Sequence, residues 1–344
     1  MLRMVMRLSA ESVVEGRLRS EQVDQWRKSG YLIVNGLIDA ERLQKLAALA
    51  DTVFPEAGDP KADAITDFGS DGALVFPSQY NIFNDVTLDA ALLQAVADLL
   101  RVPMSDIRLS QSDMWPKYGR ASSQSRGDNR DQRIHVDYPN HSMLHPPAWD
   151  SPEAVELMIY YSDARDCGGE TRVVPKLSAD DDLYRYPIVD SPGIGELLFV
   201  NDRVSAESYL AKVAPESARF RQKLYAREAI VDYRPFDILF YRHDTWHRGT
   251  PLKVGSRRLA QNVTFRLAGA EWVSTLHPGW AWSAYRPTQF FEKWLARASV
   301  DQRGALGFPL PGSPYWTKET VAAVTARYGG FGFDPGPYEA ALNS

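Results

Sequence analysis

In the first hundred residues the apolar positions recur at helical spacing. Ser20 stands as an N-cap before Val23, Trp26 and Arg27, and Gly30 ends that helix. Tyr31-Leu32-Ile33-Val34 then reads as a short strand. Asp39 caps a second helix, with Leu43, Leu46, Ala47 and Ala50 on one face. Residues 55–73 are rich in Pro, Gly and Asp and read as loop. Asp85 to Leu100 reads as one further helix, whose apolar side is Leu88, Leu92, Leu93, Val96, Leu99 and Leu100. Residues 1–19 carry no clear period.

After Pro103 the period changes to two. Ile107 to Gln111 alternates as a half-buried strand should. Further strands are expected at Ile134–Tyr138, Val155–Tyr161, Thr171–Val174, Glu196–Val200, Ala229–Tyr233, Ile238–Tyr241 and Leu259–Leu267. A run of short strands with turns between them suggests a closed barrel or a two-sheet jelly roll. One helix, about Pro215 to Arg227, interrupts it, and the aromatic, Pro-rich tail is expected to hold helices at Thr288–Ala298 and Thr317–Tyr328. The predicted fold class is mainly β with flanking helices. The 344 residues read as a single domain: helices and a strand over 20–103, the β core over 104–275 with an insertion at 178–227, and a wrapping extension over 276–344.

Composition narrows the chemistry. Cys167 is the only cysteine, so an intramolecular disulfide and a cysteine-based zinc site are both excluded. The net charge of −5 speaks against a nucleic-acid partner. No apolar run approaches a membrane span, and the N-terminal apolar run, broken by Arg3 and Arg7, is too short for a signal peptide. A cytoplasmic location is expected. No dinucleotide-binding or P-loop glycine string occurs, and neither a G-x-S-x-G elbow nor H-E-x-x-H is found.

With thiolates excluded, histidine and carboxylate carry the candidate chemistry. In Arg133-Ile134-His135-Val136-Asp137-Tyr138, His135 and Asp137 share one strand face, about 6.6 Å apart along the chain. One imidazole and one carboxylate make two-thirds of a facial triad, the ligand set of non-haem Fe(II) oxygenases. Downstream, His243, His247 and His277 are the candidates for the third ligand. His247 is the best placed, after the hydrophobic strand 236–241 and a turn, and before Gly249 and Pro251. Arg257 and Arg258 open the next strand. Alternation groups Arg258 with Ala260, Asn262 and Thr264, the smaller and more polar set that a ligand-lined interior needs, and so favours Arg258 as a bidentate carboxylate clamp.

The layout resembles the phytanoyl-CoA dioxygenase family of Fe(II)/2-oxoglutarate oxygenases from about residue 20 to 267, with its motifs in family order. SEQVDQWRKSGYLIVNGLIDAERLQKL resembles that family's opening helix, Gly-Tyr strand and second helix. His-Val-Asp at 135–137 resembles its metal motif, and DCGGETRVVP at 166–175 its Gly-Gly turn and following strand. PFDILFYRHDTWHRGTP resembles the strand leading to its distal histidine, and Arg258 follows His247 at the family's spacing. One departure is Lys176-Leu177-Ser178, where many relatives carry Gly-Ser-His.

The resemblance implies a double-stranded β-helix (jelly roll, cupin-like) core. It implies Fe(II) on His135, Asp137 and His247, with 2-oxoglutarate as co-substrate held by Arg258 and O2 as oxidant. The activity implied is a dioxygenase that hydroxylates a small organic molecule and decarboxylates 2-oxoglutarate to succinate. Related halogenases have a small residue in place of the carboxylate, so Asp137 argues for hydroxylation or another oxidation over halogenation. The alternative is a cupin-like metal-binding protein without that activity.

Weaker candidates surround this set. Residues 116–133, with Lys117, Arg120, Arg126, Arg130 and Arg133 against Asp128 and Asp131, read as a mobile basic loop. Gln111 and Asp113 share a face and can reach the pocket from its side, and Tyr160 or Tyr161 can donate to the 2-oxoglutarate carboxylate. The expected partner is a small-molecule substrate, with no nucleic acid and no membrane, and the C-terminal extension is the candidate contact for a homo-oligomer.

Overall fold

The structure is a computed structural model that describes residues 6–14, 16–65, 74–121, 131–138, 144, 148–184, 202–270 and 289–343. Its strands are β1 (Arg7–Leu8), β2 (Glu11–Ser12), β3 (Tyr31–Asn35), β4 (Ile107–Tyr118), β5 (Ala154–Tyr160), β6 (Thr171–Val173), β7 (Ile230–Val231), β8 (Ile238–Tyr241), β9 (His247–Gly249) and β10 (Arg257–Leu267). Six of them form one mixed sheet in the order β2-β3-β8-β5-β10-β4. β6 pairs with β9, and single bridges from Val173 to Ala229 and from His247 to His135 widen this smaller sheet on both sides. β1 runs parallel to β7. The described strands thus form a large sheet and a small one and do not close into a barrel. The expected strand Glu196–Val200 lies outside the described residues.

Alternation gives the large sheet two unlike faces. Leu32, Val34, Leu157, Ile159, Ile238, Phe240, Leu259, Val263 and Phe265 pack outward in the main core. That core also takes the apolar sides of three helices, α1 (Ser20–Ser29), α2 (Ala40–Val53) and α4 (Ala90–Leu100). Tyr31, Ile33, Met158, Tyr160, Leu239, Tyr241 and Ala260 point the other way and meet Val173 and Val231 of the small strands. The candidate site lies on this inner face.

Several expectations change in detail. Asp85–Leu100 is two helices, because the Asp89 side chain accepts from the backbone of Ala91 and Leu92 and caps a fresh start. The first of the pair is α3 (Asn81–Thr87), and Leu88, at the break between them, is exposed. β4 runs on to Tyr118, so Lys117 is a strand residue; Pro116 is tolerated there because β4 is an edge strand. Arg120 donates to the Ala62 and Ile65 carbonyls, and Arg133 is fully buried, so these parts of 116–133 are not a solvated loop. Residues 122–130 lie outside the described residues. Tail helices Phe290–Arg297 and Lys318–Tyr328 share an apolar cluster with Ala154 at the start of β5. Among the described residues no helix is long and apolar enough to cross a membrane.

Candidate metal centre

His135 and His247 face each other as a directly hydrogen-bonded antiparallel pair. Each backbone N–H donates to the other's carbonyl at 2.9 Å. That pairing sends both side chains to one side of the small sheet, with ring centroids 4.4 Å apart. Two residues on, the Asp137 backbone N–H donates to the His243 carbonyl at 2.9 Å, which brings its carboxylate back beside the rings. Asp137 lies 3.5 Å from His135 Nε2 and 3.2 Å from His247 Nε2. One ligand atom from each of the three falls within 4.8 Å of the others.

Local sequence fixes this arrangement. Gly249 has no side chain because Gln132 Oε1 would stand 2.8 Å from its Cβ. That oxygen instead accepts the Gly249 N–H at 2.7 Å and fastens the His135 segment to β9. On the outward side Arg248 binds Glu228, Nε to Oε2 at 2.6 Å, and also reaches Asp131.

The protonation of the rings follows from their partners. His135 Nδ1 lies 2.9 Å from the Arg133 carbonyl, and His247 Nδ1 lies 2.9 Å from the Thr245 carbonyl. A carbonyl can only accept, so each Nδ1 carries a proton and Nε2 is the ring atom turned toward Asp137. Burial, then His247, pushes the His135 pKa down to about 3. Burial pulls His247 down, but the adjacent Asp137 carboxylate outweighs it and leaves the pKa raised. Asp137 resists burial for the converse reason: the two imidazoles hold it well below the usual carboxylate range. Tyr241 OH donates to Asp137 Oδ2 at 3.1 Å. Two imidazole Nε2 atoms, once free of protons, and one orientated carboxylate, all buried, fit a divalent first-row metal.

Of the three histidines open as a third ligand, His247 is the one beside His135 and Asp137. His243 is turned away, with Nε2 2.8 Å from Glu156, and His277 lies outside the described residues. Glu156 is a buried acid that the sequence reading missed; its only signal was a charge within an otherwise apolar strand.

The two neighbouring arginines separate. Arg257 points outward to Glu56 at 2.8 Å, to Asp51, and to the Phe54 carbonyl at 2.7 Å. Arg258 is buried on the inner face, donates to the Gly169 carbonyl, and keeps a buried Nε with no partner among the described residues. Gly169 has φ +73°, and Leu252 would crowd a Cβ there to 2.6 Å, so the Gly168-Gly169 turn is what presents this carbonyl. Lys117, also buried, pairs with Arg258 across β4 and β10. Two cations therefore end the inner face side by side, a natural seat for an anion. Tyr160 OH donates to Thr171 Oγ1 at 2.7 Å, and Tyr161 OH faces outward to Gln261.

Comparison with known proteins bears on the fold. No protein-family model matches the chain, and no curated protein matches its sequence. Solved structures do. EvdO2 from Micromonospora carbonacea var. aurantiaca aligns at TM-score 0.52 and 14% identity over 75% of this chain and 94% of its own. That likeness shows that the chain shares its fold. The carbocyclase SnoK from nogalamycin biosynthesis, a non-haem α-ketoglutarate-dependent enzyme, aligns at 0.49 and 16% identity over 78% of this chain and 92% of its own. The epimerase SnoN, solved with Fe3+, α-ketoglutarate and a nogalamycin compound, aligns at 0.48 and 15% over 74% and 86%.

Proposed function

We propose that this chain is an Fe(II)/2-oxoglutarate-dependent dioxygenase of the phytanoyl-CoA dioxygenase type, with a jelly-roll core, that hydroxylates a small organic molecule. One observation carries the reading: the buried His135, Asp137 and His247 set opens onto the same face as an arginine whose buried Nε has no partner among the described residues. A protein that only binds metal has no need of the second feature. Iron and 2-oxoglutarate, when bound with O2, would supply the oxidising power and release succinate and CO2.

This chain's own residues do the positioning. His135, Asp137 and His247 would hold Fe(II) from one side and leave the opposite side free. Their orientation is set beforehand by the Arg133 and Thr245 carbonyls and by Tyr241, so little reorganisation accompanies binding. Arg258 would take the far carboxylate of 2-oxoglutarate, with Lys117 beside it adding charge. The packed small strands and the apolar residues Met158, Leu239 and Ala260 keep water from the inner face.

The test is succinate release from 2-oxoglutarate by protein given Fe(II) and ascorbate in air, together with the visible charge-transfer band of the anaerobic iron–2-oxoglutarate complex. Absence of both would leave the cupin-like metal-binding alternative.

A further inference from the structure

We infer that the inner face of β4 and β10 holds a subsite for a cationic amine of the substrate, with Asp113 as counter-charge and Asn262 as second acceptor. The inference rests on the oxygenase reading and adds a substrate class to it. Two cross-strand rows traverse this face, the first polar throughout and the second polar at its β4 and β10 end. Gln111 stands opposite Thr264, which stands opposite Glu156 and then Tyr241; Asp113 stands opposite Asn262, and then Met158. Tyr241 touches Asp137, so the first row runs from the candidate metal centre to the edge strand, and the Asp113 row lies beside it. Three strand spacings, about 14 Å, separate β8 from β4. An amine at Asp113 would sit at the far end of a substrate of moderate size.

The chemistry of the end group follows from what is left unpaired. Asp113 is only 7% exposed. Among the described residues its single hydrogen bond comes from Gln111 Nε2, at 2.8 Å to Oδ1. Asn262 Oδ1 is buried with no partner among the described residues. Asn262 Oδ1 can only accept, and ionised Asp113 likewise, so a ligand that engages both must donate. A carboxylate held by one amide and no cation is costly to bury, and burial accordingly raises its pKa to about 7. An ammonium group brings the missing charge and three donors, enough for both acceptors. A polyol brings donors without charge, and an anion is repelled. Trp115, next along the same face, offers an aromatic wall that also suits a cation.

The probe is a panel of amines, each matched with an alcohol and a carboxylate on the same carbon skeleton. Thermal shift, then calorimetry, reads their binding to Fe(II)- and 2-oxoglutarate-loaded protein under nitrogen. Amines should dominate the hits, and the best should bind at least ~10-fold more tightly than its alcohol. Asp113→Asn, which is isosteric, should cut that ratio below ~3-fold without lowering the melting temperature, and Asn262→Asp should raise it. Equal binding of alcohols, no binding by amines, or a preference that survives Asp113→Asn overturns the inference. Succinate release by the unaltered protein without any amine checks the oxygenase reading separately. Succinate formed with no amine preference sinks the subsite alone.

Discussion

The two faces of β10 treat buried polar groups in opposite ways. On the outer face Gln261 is fully buried and fully partnered. Its Oε1 accepts from Tyr161 OH at 2.9 Å, and its Nε2 donates to Thr87 at 3.0 Å and Ser112 at 3.1 Å. On the inner face, Asn262 Oδ1, one residue away, and Arg258 Nε, three away, are buried without a partner among the described residues. Polar groups inside a protein that serve only the fold are satisfied by the fold, because each open one costs about 1–3 kcal/mol. Open groups concentrated on one face of a strand therefore point to a partner from outside the chain. Ligand loss should dominate when the inner face is altered, and stability loss when the outer face is.

The largest effect belongs to the proposed metal ligands. His135→Ala removes one imidazole from a set of three, and Fe(II) affinity should fall by more than ~100-fold, beyond what loss of an outer partner costs. The anaerobic charge-transfer band should vanish with it. Retention of that band would mean the three residues are an internal polar cluster. Next in size is Arg258→Ala. Deleting one side of a buried, charge-assisted pair costs about 2–4 kcal/mol, so the KM for 2-oxoglutarate should rise ~30- to 1000-fold. Iron binding measured without 2-oxoglutarate should barely change. An unaltered KM would leave Arg258 as a mere brace for the Gly169 carbonyl.

Asp113 gives the comparison a pH signature. Its folded pKa is raised from 3.8 to about 7. Between those values the unfolded chain has released the proton while the folded chain still holds it. Stability from this residue is therefore whole below about 3.8, declines as pH rises, and is lost above about 7. The decline amounts to at most about 4 kcal/mol. Denaturant midpoints for the protein and for Asp113→Asn should diverge in favour of the variant across that window and run parallel above it. Parallel curves throughout would show that Asp113 is already compensated.

Much of this was legible in the chain. Asp39 is the cap of α2, and Ile238–Tyr241 and Pro215–Arg227 are observed with the expected ends. Period-two alternation alone separated Arg257 from Arg258, because a strand has only two faces. Other features depend on contacts that no local pattern encodes. His243 and His247 are both plausible ligands in sequence, and only the pairing of His247 with His135 decides between them. Lys117 looked like a loop cation because Pro116 precedes it, and edge position is a property of the whole sheet. Helix Arg203–Val213 was missed because its apolar residues, Val204 and Val213 among them, do not keep to one side, and both of these are exposed.

Two outer-face changes complete the comparison at lower magnitude. Gln261→Ala leaves Tyr161 OH and the Thr87 and Ser112 hydroxyls to find other partners in the core, and should cost about 1–3 kcal/mol in denaturant unfolding. Turnover per folded molecule should stay as it was. Smallest is Arg257→Ala. Arg257 binds Asp51 and Glu56, both largely exposed, at the rim of α2. Such pairs contribute about 0–1 kcal/mol, and salt should erase much of it. The KM for 2-oxoglutarate should not move. If Arg257→Ala raised that KM and Arg258→Ala did not, β10 would be turned by one residue, and every inner-face assignment, Asn262 included, would pass to its neighbour.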